Sequence, residues 1–126
     1  MRVSILALMI SAIAGPVLAQ DSGHDQFIAS CSACHQPTGK GIPGAFPALA
    51  GDAFVQGDET KVAAVVLNGR GGMPTFKADL TDAQIAAALT YVRSAWGNHA
   101  PAIEPATVAA VRAKGAAPTA VGLQAH

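Results

Sequence analysis

The sequence predicts an all-α protein with one main domain. Three separate segments carry apolar residues at three- and four-residue spacing, which is the pattern of one buried helix face. No segment of useful length alternates apolar and polar residues, as a half-buried β-strand would. A length of 126 residues also favours a single domain.

Residues 1–19 have the plan of a cleavable secretory signal peptide. Arg2 precedes an apolar run from Val3 to Ile13, and the small residue Ala19 closes the segment. The alternative is an uncleaved membrane anchor, but this run is shorter than the ~18 apolar residues of a spanning helix. We therefore predict cleavage after Ala19, export to the periplasm, and no stable membrane insertion of the mature chain.

The first helix is predicted from Gly23 to Cys34, with Phe27, Ile28 and Cys31 on its buried face. After it, prolines and glycines between residues 36 and 51 exclude a long regular element and predict a loop. Residues 52–56 can add one or two helical turns.

Two further helices have clear start and stop signals. Asp58 is expected to cap a helix that Gly69 ends. A second irregular loop follows. Thr81 and Gln84 then form a capping box for the helix with the strongest signature, which Gly97 closes.

The composition changes after Asn98 to mainly Ala, Pro and Val. A short helix is expected over residues 104–114, and the remainder is expected to be disordered or loosely attached. The predicted organisation is a signal peptide (1–19), a folded domain (20–98) and an Ala/Pro-rich tail (99–126).

The charge balance excludes an extended basic surface. Eight Lys and Arg residues balance eight Asp and Glu residues, whereas a nucleic-acid-binding domain carries a basic patch. We therefore expect no nucleic-acid partner.

Both cysteines of the chain lie in the motif Cys31-Ser-Ala-Cys34-His35, which has four interpretations. A disulfide is compatible with export but would close a loop too short to constrain much chain entropy. A thioredoxin-like dithiol would accompany a βαβ pattern. A zinc site needs four ligands, and no second ligand pair is present. Cys-x-x-Cys-His is also the signature of covalent c-type haem attachment, which we favour.

The spacing of this motif suits a haem. Side chains three residues apart on a helix lie roughly 5–6 Å apart, so the thiols of Cys31 and Cys34 can reach the two vinyl groups of one porphyrin. His35 can then bind the iron from one side. We predict one haem c, attached through both cysteines.

The second axial ligand decides between a haem that binds small molecules and one that transfers electrons. Met73 is the only methionine outside residues 1–19, and it lies in a Gly-Gly-Met-Pro loop instead of on a helix face. A methionine can also simply fill a gap in a core. The loop position favours Met73 as the iron ligand. The rival ligands are His24, His99 and His126.

With these residues the sequence resembles the class I cytochromes c, most closely the bacterial single-haem domains that serve periplasmic dehydrogenases. The similarity covers residues 23–98. The matching positions are Gly23 and Phe27 with Tyr91 as their partner in the last helix, Cys31, Cys34 and His35, Pro47 and Leu49, and Met73 with Pro74.

This resemblance implies three to five helices around one covalently bound haem. It also implies that the carbonyl of Pro47 accepts a hydrogen bond from the axial His35. The implied pocket is lined by Phe46, Leu49, Phe76 and Trp96. The residues expected to bind the cofactor are Cys31, Cys34, His35, Pro47, Leu49 and Met73, with His35 and Met73 on the iron.

The predicted function is single-electron transfer, with no catalytic residues. The protein would accept electrons from a periplasmic dehydrogenase and pass them to a terminal oxidase or another cytochrome of the respiratory chain. One alternative is a haem enzyme or a gas or redox sensor with a labile sixth ligand. Another is a haem-free dithiol or metal protein.

Overall fold

Five α-helices form the regular structure of the part that the computed structural model describes, residues 17–116, with side chains from 22 to 115. In chain order they are α1 (Val17–Ser30), α2 (Ser32–His35), α3 (Glu59–Asn68), α4 (Asp82–Ser94) and α5 (Pro105–Ala116). These residues contain two isolated β-bridges and no strand. The all-α prediction is confirmed, whereas most of the expected signal peptide lies outside the described residues.

Helix α1 crosses α4 in close contact, because Gly23 has no side chain to separate them. A Cβ atom at Gly23 would lie only 2.5 Å from the carbonyl oxygen of Ala87. Phe27 is fully buried, and its ring centroid lies 5.5 Å from that of Tyr91 and 5.1 Å from that of Trp96. The contact of Gly23 and Phe27 with Tyr91 is the one that the family resemblance implies.

Two expectations for the first helix are wrong. Ile28 is 38% exposed instead of buried, because α4 packs on the face that carries Phe27. The bounds of the helix also differ from those expected: α1 begins at Val17 instead of Gly23 and ends at Ser30, and Cys31 forms a turn before α2 begins.

The helix caps follow the sequence signals. A carboxylate oxygen of Asp58 accepts a hydrogen bond from the backbone N–H of Thr60 at 2.8 Å, and Gly69 ends α3 with a φ of 74°. At the start of α4, the side chains of Thr81 and Gln84 each accept a hydrogen bond from the other's backbone N–H. The predicted cap and capping box are therefore confirmed.

Helix α4 ends at Ser94, earlier than the expected end at Gly97. The chain turns there because Ala95 is extended and Trp96 adopts a positive φ of 52°. The indole ring packs against Gly39, and its Nε1 donates a hydrogen bond to the carbonyl of Pro37 at 3.2 Å. This contact joins the end of α4 to the loop after α2.

The larger core lies between α3, α4 and α5. Its buried members are Val62, Ala63, Leu67, Ile85, Ala86, Leu89, Ile103 and Val108. The last two lie beyond residue 98, and Val108 is fully buried on α5, the helix expected over residues 104–114. The domain boundary at residue 98 stays a prediction, while the hydrophobic packing continues across it.

Arg93 of α4 is buried and fixes the backbone on both sides of that helix. Its Nε donates a hydrogen bond to the carbonyl of Pro101 at 2.8 Å. One terminal nitrogen donates to the carbonyls of Val55 and Gly57 at 2.7 and 2.9 Å.

No helix within residues 17–116 combines the length and apolar character needed to cross a membrane.

Candidate functional site

The Cys31-x-x-Cys34-His35 motif lies at the junction of α1 and α2. The backbone N–H of His35 donates to the carbonyl of Cys31 at 3.0 Å, which closes one helical turn. The two cysteines do not form a disulfide with each other. Burial, with a smaller contribution from nearby Cys34, raises the pKa of the Cys31 thiol to about 11. The surroundings of Cys31 therefore disfavour a thiolate, unlike those of the low-pKa cysteine of a redox dithiol.

The imidazole of His35 is oriented by a backbone carbonyl. The side chain is buried, and its Nδ1 lies 2.9 Å from the carbonyl oxygen of Pro47. Because a carbonyl oxygen only accepts hydrogen bonds, Nδ1 carries the proton in the neutral imidazole, and the lone pair of that tautomer is on Nε2. This is the hydrogen bond that the family resemblance implies, and it makes Nε2 a more basic ligand.

The loop after α2 folds back on itself and so brings Pro47 to His35. The backbone N–H of Gly41 donates to the carbonyl of His35 at 2.9 Å, and the carbonyl of Gly39 accepts from Leu49 at 2.7 Å. Gly41 has a φ of 61°, and a Cβ atom there would lie 2.6 Å from the carbonyl oxygen of Pro47. Glycine is consequently required at this position.

Asn98 ties this loop to α4 and is a site residue that the sequence prediction missed. It is fully buried. Its side-chain oxygen accepts from the backbone N–H of Gly51 at 2.8 Å. Its side-chain nitrogen donates to the carbonyls of Leu49 and Val92 at 3.1 and 2.8 Å. Two of these bonds satisfy backbone groups of the segment directly after Pro47, and the bond to Val92 joins that segment to α4.

Met73 is presented by a tight turn after α3. The backbone N–H of Met73 donates to the carbonyl of Arg70 at 3.0 Å, and the reverse bond is 3.3 Å. A Cβ atom at Gly69 would lie 2.6 Å from the carbonyl oxygen of Met73. Phe76 returns to α3 through a 3.0 Å bond from its N–H to the carbonyl of Val66. The turn is thus anchored at both ends.

Two adjoining cavities bring the predicted site residues together. Both are lined by Cys31, His35, Pro47, Val65, Arg70, Met73 and Phe76. Leu49 lines the first and Cys34 the second, so all six residues predicted to bind the cofactor face this space.

The wider lining agrees in part with the implied pocket. Leu49 and Phe76 line the first cavity, and Phe46 lines the second at 38% exposure. Trp96 lines neither cavity. It packs instead with Phe27 in a second cluster of buried residues, because the turn after α4 directs its ring toward Gly39.

The side chains at this site fit a haem c. Two thiols lie one helical turn apart, an imidazole has a free Nε2, and a thioether shares the cavity with them. The remaining walls of the first cavity are mostly Val, Leu, Ile and Ala, which suits a flat apolar ring. In residues 22–115, no three His, Cys, Asp or Glu side chains form a group that could hold a metal ion, so the zinc interpretation gains no support there.

Comparison with known proteins identifies the class. The family described as cytochrome c oxidase, cbb3-type, subunit III matches residues 18–92, which is more than half of the chain. The chain therefore belongs to this cytochrome c family, and the prediction of a small monohaem cytochrome c is confirmed. Membership implies covalently bound haem c.

Two relatives are cytochromes that this chain matches over most of their own length. Cytochrome c-552 of Thermus thermophilus is 34% identical over 113 residues, covering 78% of this chain and 74% of that protein. Cytochrome c6 of Leptolyngbya boryana is 38% identical over 73 residues, covering 56% of this chain and 86% of that protein. These similarities confirm the prediction of an electron carrier that is not an enzyme.

A third relative is a much longer protein than this chain, and only a part of it matches. The cytochrome c subunit of the quinone alcohol dehydrogenase of Gluconobacter oxydans is 33% identical over 93 residues. That match covers 64% of this chain but only 20% of the subunit. The chain is therefore similar to one portion of that subunit.

Proposed function

We propose that this protein carries single electrons through one haem c attached to Cys31 and Cys34, with His35 and Met73 as the axial ligands of the iron. The observation that carries this proposal is the 2.9 Å contact between Nδ1 of His35 and the carbonyl of Pro47. It leaves Nε2 free to bind a metal, in a cavity that Met73 also lines. Ligation by His and Met raises the reduction potential and favours electron transfer.

The bound haem would supply one-electron chemistry as its iron alternates between ferric and ferrous states. The residues of the chain set the conditions for it. Pro47 holds the imidazole of His35 in one orientation, and the Gly69–Met73 turn positions the thioether. The aliphatic walls would exclude water from the haem, and this disfavours the oxidation state in which the haem carries the greater net charge. Ligands that are held in this way would move little when the iron changes its oxidation state, and small movements favour rapid electron transfer.

We further propose a place for the protein between a periplasmic dehydrogenase and the respiratory chain, with a terminal oxidase or another cytochrome as acceptor. The support is the similarity to the dehydrogenase cytochrome subunit of Gluconobacter oxydans. Export of the chain, with cleavage after Ala19, is part of this proposal and rests on the pattern of residues 1–19.

Mass spectrometry and visible spectra of the exported protein test the attachment. After denaturation, the wild-type chain should keep the mass of one haem, and its reduced spectrum should be that of a c-type cytochrome. Cys34→Ser should shift the reduced spectrum, because one thioether bond is lost. Ser32→Ala, in the same motif, should behave as wild type. A wild-type chain that loses its haem on denaturation, although produced with the cytochrome c maturation proteins, would refute the proposal.

A further inference from the structure

Arg70 lines both cavities and carries a positive charge. The lining residues that can carry a charge are Cys31, Cys34, His35, Asp52 and Arg70. A carboxylate oxygen of Asp52 accepts a hydrogen bond from the backbone N–H of Val55 at 2.8 Å. The guanidinium of Arg70 makes no hydrogen bond and no ion pair with any protein group in residues 22–115. Arg70 is exposed, and its guanidinium has no carboxylate partner in residues 22–115, so an unpaired cation borders cavities whose walls are mostly apolar.

The backbone places Arg70 on the same side as the proposed iron ligand. Arg70 and Met73 form an antiparallel bridge, and residues that are directly opposite in such a bridge direct their side chains to the same face. The guanidinium carbon also lies 4.7 Å from the centroid of the Phe54 ring, within the range of a cation–π interaction. The ring supports one face of the guanidinium and leaves its N–H groups available.

We propose that Arg70 binds a propionate carboxylate of the haem, an inference that rests on the proposed function. A haem carries two propionates, and withdrawing a carboxylate from water beside an apolar wall costs free energy that a hydrogen-bonded cation offsets. The planar guanidinium can donate two parallel hydrogen bonds to one carboxylate, which a lysine cannot. Arg70 would thus hold the cofactor by a non-covalent contact in addition to the two thioether bonds.

Resonance Raman spectroscopy of the exported holoprotein tests this contact, because the propionate bending mode of haem changes frequency with hydrogen bonding. We expect Arg70→Gln to shift this mode from its wild-type position and Arg70→Lys to shift it by a smaller amount. Lys40→Gln removes the same charge from an exposed residue that lines neither of these two cavities. This control should keep the wild-type mode.

The outcomes separate this inference from the proposed function. A wild-type mode in both Arg70 variants, or an equal shift in Lys40→Gln, would overturn the role of Arg70. If Arg70→Gln yields no holoprotein, Arg70→Lys decides alone, since loss of the paired hydrogen bonds still predicts a shift and an unchanged mode contradicts it. Absence of haem bands from the wild-type protein would instead refute the proposed function.

Discussion

At the scale of single residues, the site depends on backbone carbonyls as much as on side chains. His35 was predictable because the haem-attachment motif fixes residue types at short, set offsets. The partnership with Pro47 followed only from the family resemblance, and the 2.9 Å hydrogen bond shows it. Asn98 could not be predicted, because its partner Gly51 lies 47 residues away and a lone Asn has no sequence signal.

Asn98→Ala tests how strongly this residue holds the loop around Pro47. The change leaves three backbone groups without their partner, and one such loss costs about 1–3 kcal/mol. We therefore expect a decrease of at least that size in the free energy of unfolding, measured by denaturant titration. The exposed neighbour His99 is the control, and His99→Ala should change this free energy by less than about 0.5 kcal/mol. Equal effects of the two variants would show that the Asn98 bonds contribute nothing.

At the scale of the helices, local sequence signals predicted the helix caps correctly, but the sequence did not predict how the helices pack. The caps at Asp58 and Thr81 involve residues only two or three positions apart, so the sequence contains all their partners. The exposure of Ile28 and the early end of α4 depend on distant contacts. Trp96 bonds to Pro37 across 59 positions, and helical periodicity cannot predict such a contact.

The cap at Asp58 predicts a pH dependence of stability. Hydrogen bonds from Thr60 and Lys61 lower the pKa of the Asp58 carboxyl. Since this pKa is lower in the folded chain, the stabilisation is complete above the ordinary pKa of about 3.9 and is lost as the pH falls through the folded value. Asp58→Ala should therefore lower the thermal midpoint at neutral pH, with a difference from wild type that becomes smaller in acid.

Thermal melts from neutral pH to about one unit below that ordinary pKa would measure the effect. Asp58→Asn is the matched control, because its amide oxygen can still accept the cap hydrogen bonds without the charge. It should be less destabilised than Asp58→Ala at neutral pH. A destabilisation by Asp58→Ala that stays constant through the acid range would contradict this linkage.

At the scale of the whole molecule, four chain segments (residues 30–35, 45–55, 62–76 and 80–92) line the two cavities, and α5 completes the core beside them. The all-α class was predictable from periodicity, and all six predicted cofactor residues line the cavity. The burial of Ile103 and Val108 was not expected, because an Ala- and Pro-rich composition resembles that of a loose tail. Their burial attaches α5 to the core, and Arg112 adds a polar contact through a 2.7 Å ion pair with Asp82 at the start of α4.

The central claim is that Met73 is the second axial ligand of the iron, and Met73→Ala in the exported holoprotein tests it most directly. We expect this variant to bind carbon monoxide readily in the ferrous state and to have a lower midpoint potential, because the thioether both fills the site and raises the potential. Wild type and His99→Ala, which removes a rival ligand, should resist carbon monoxide and keep the higher potential. A Met73→Ala variant with the spectrum and potential of the wild type would contradict the account.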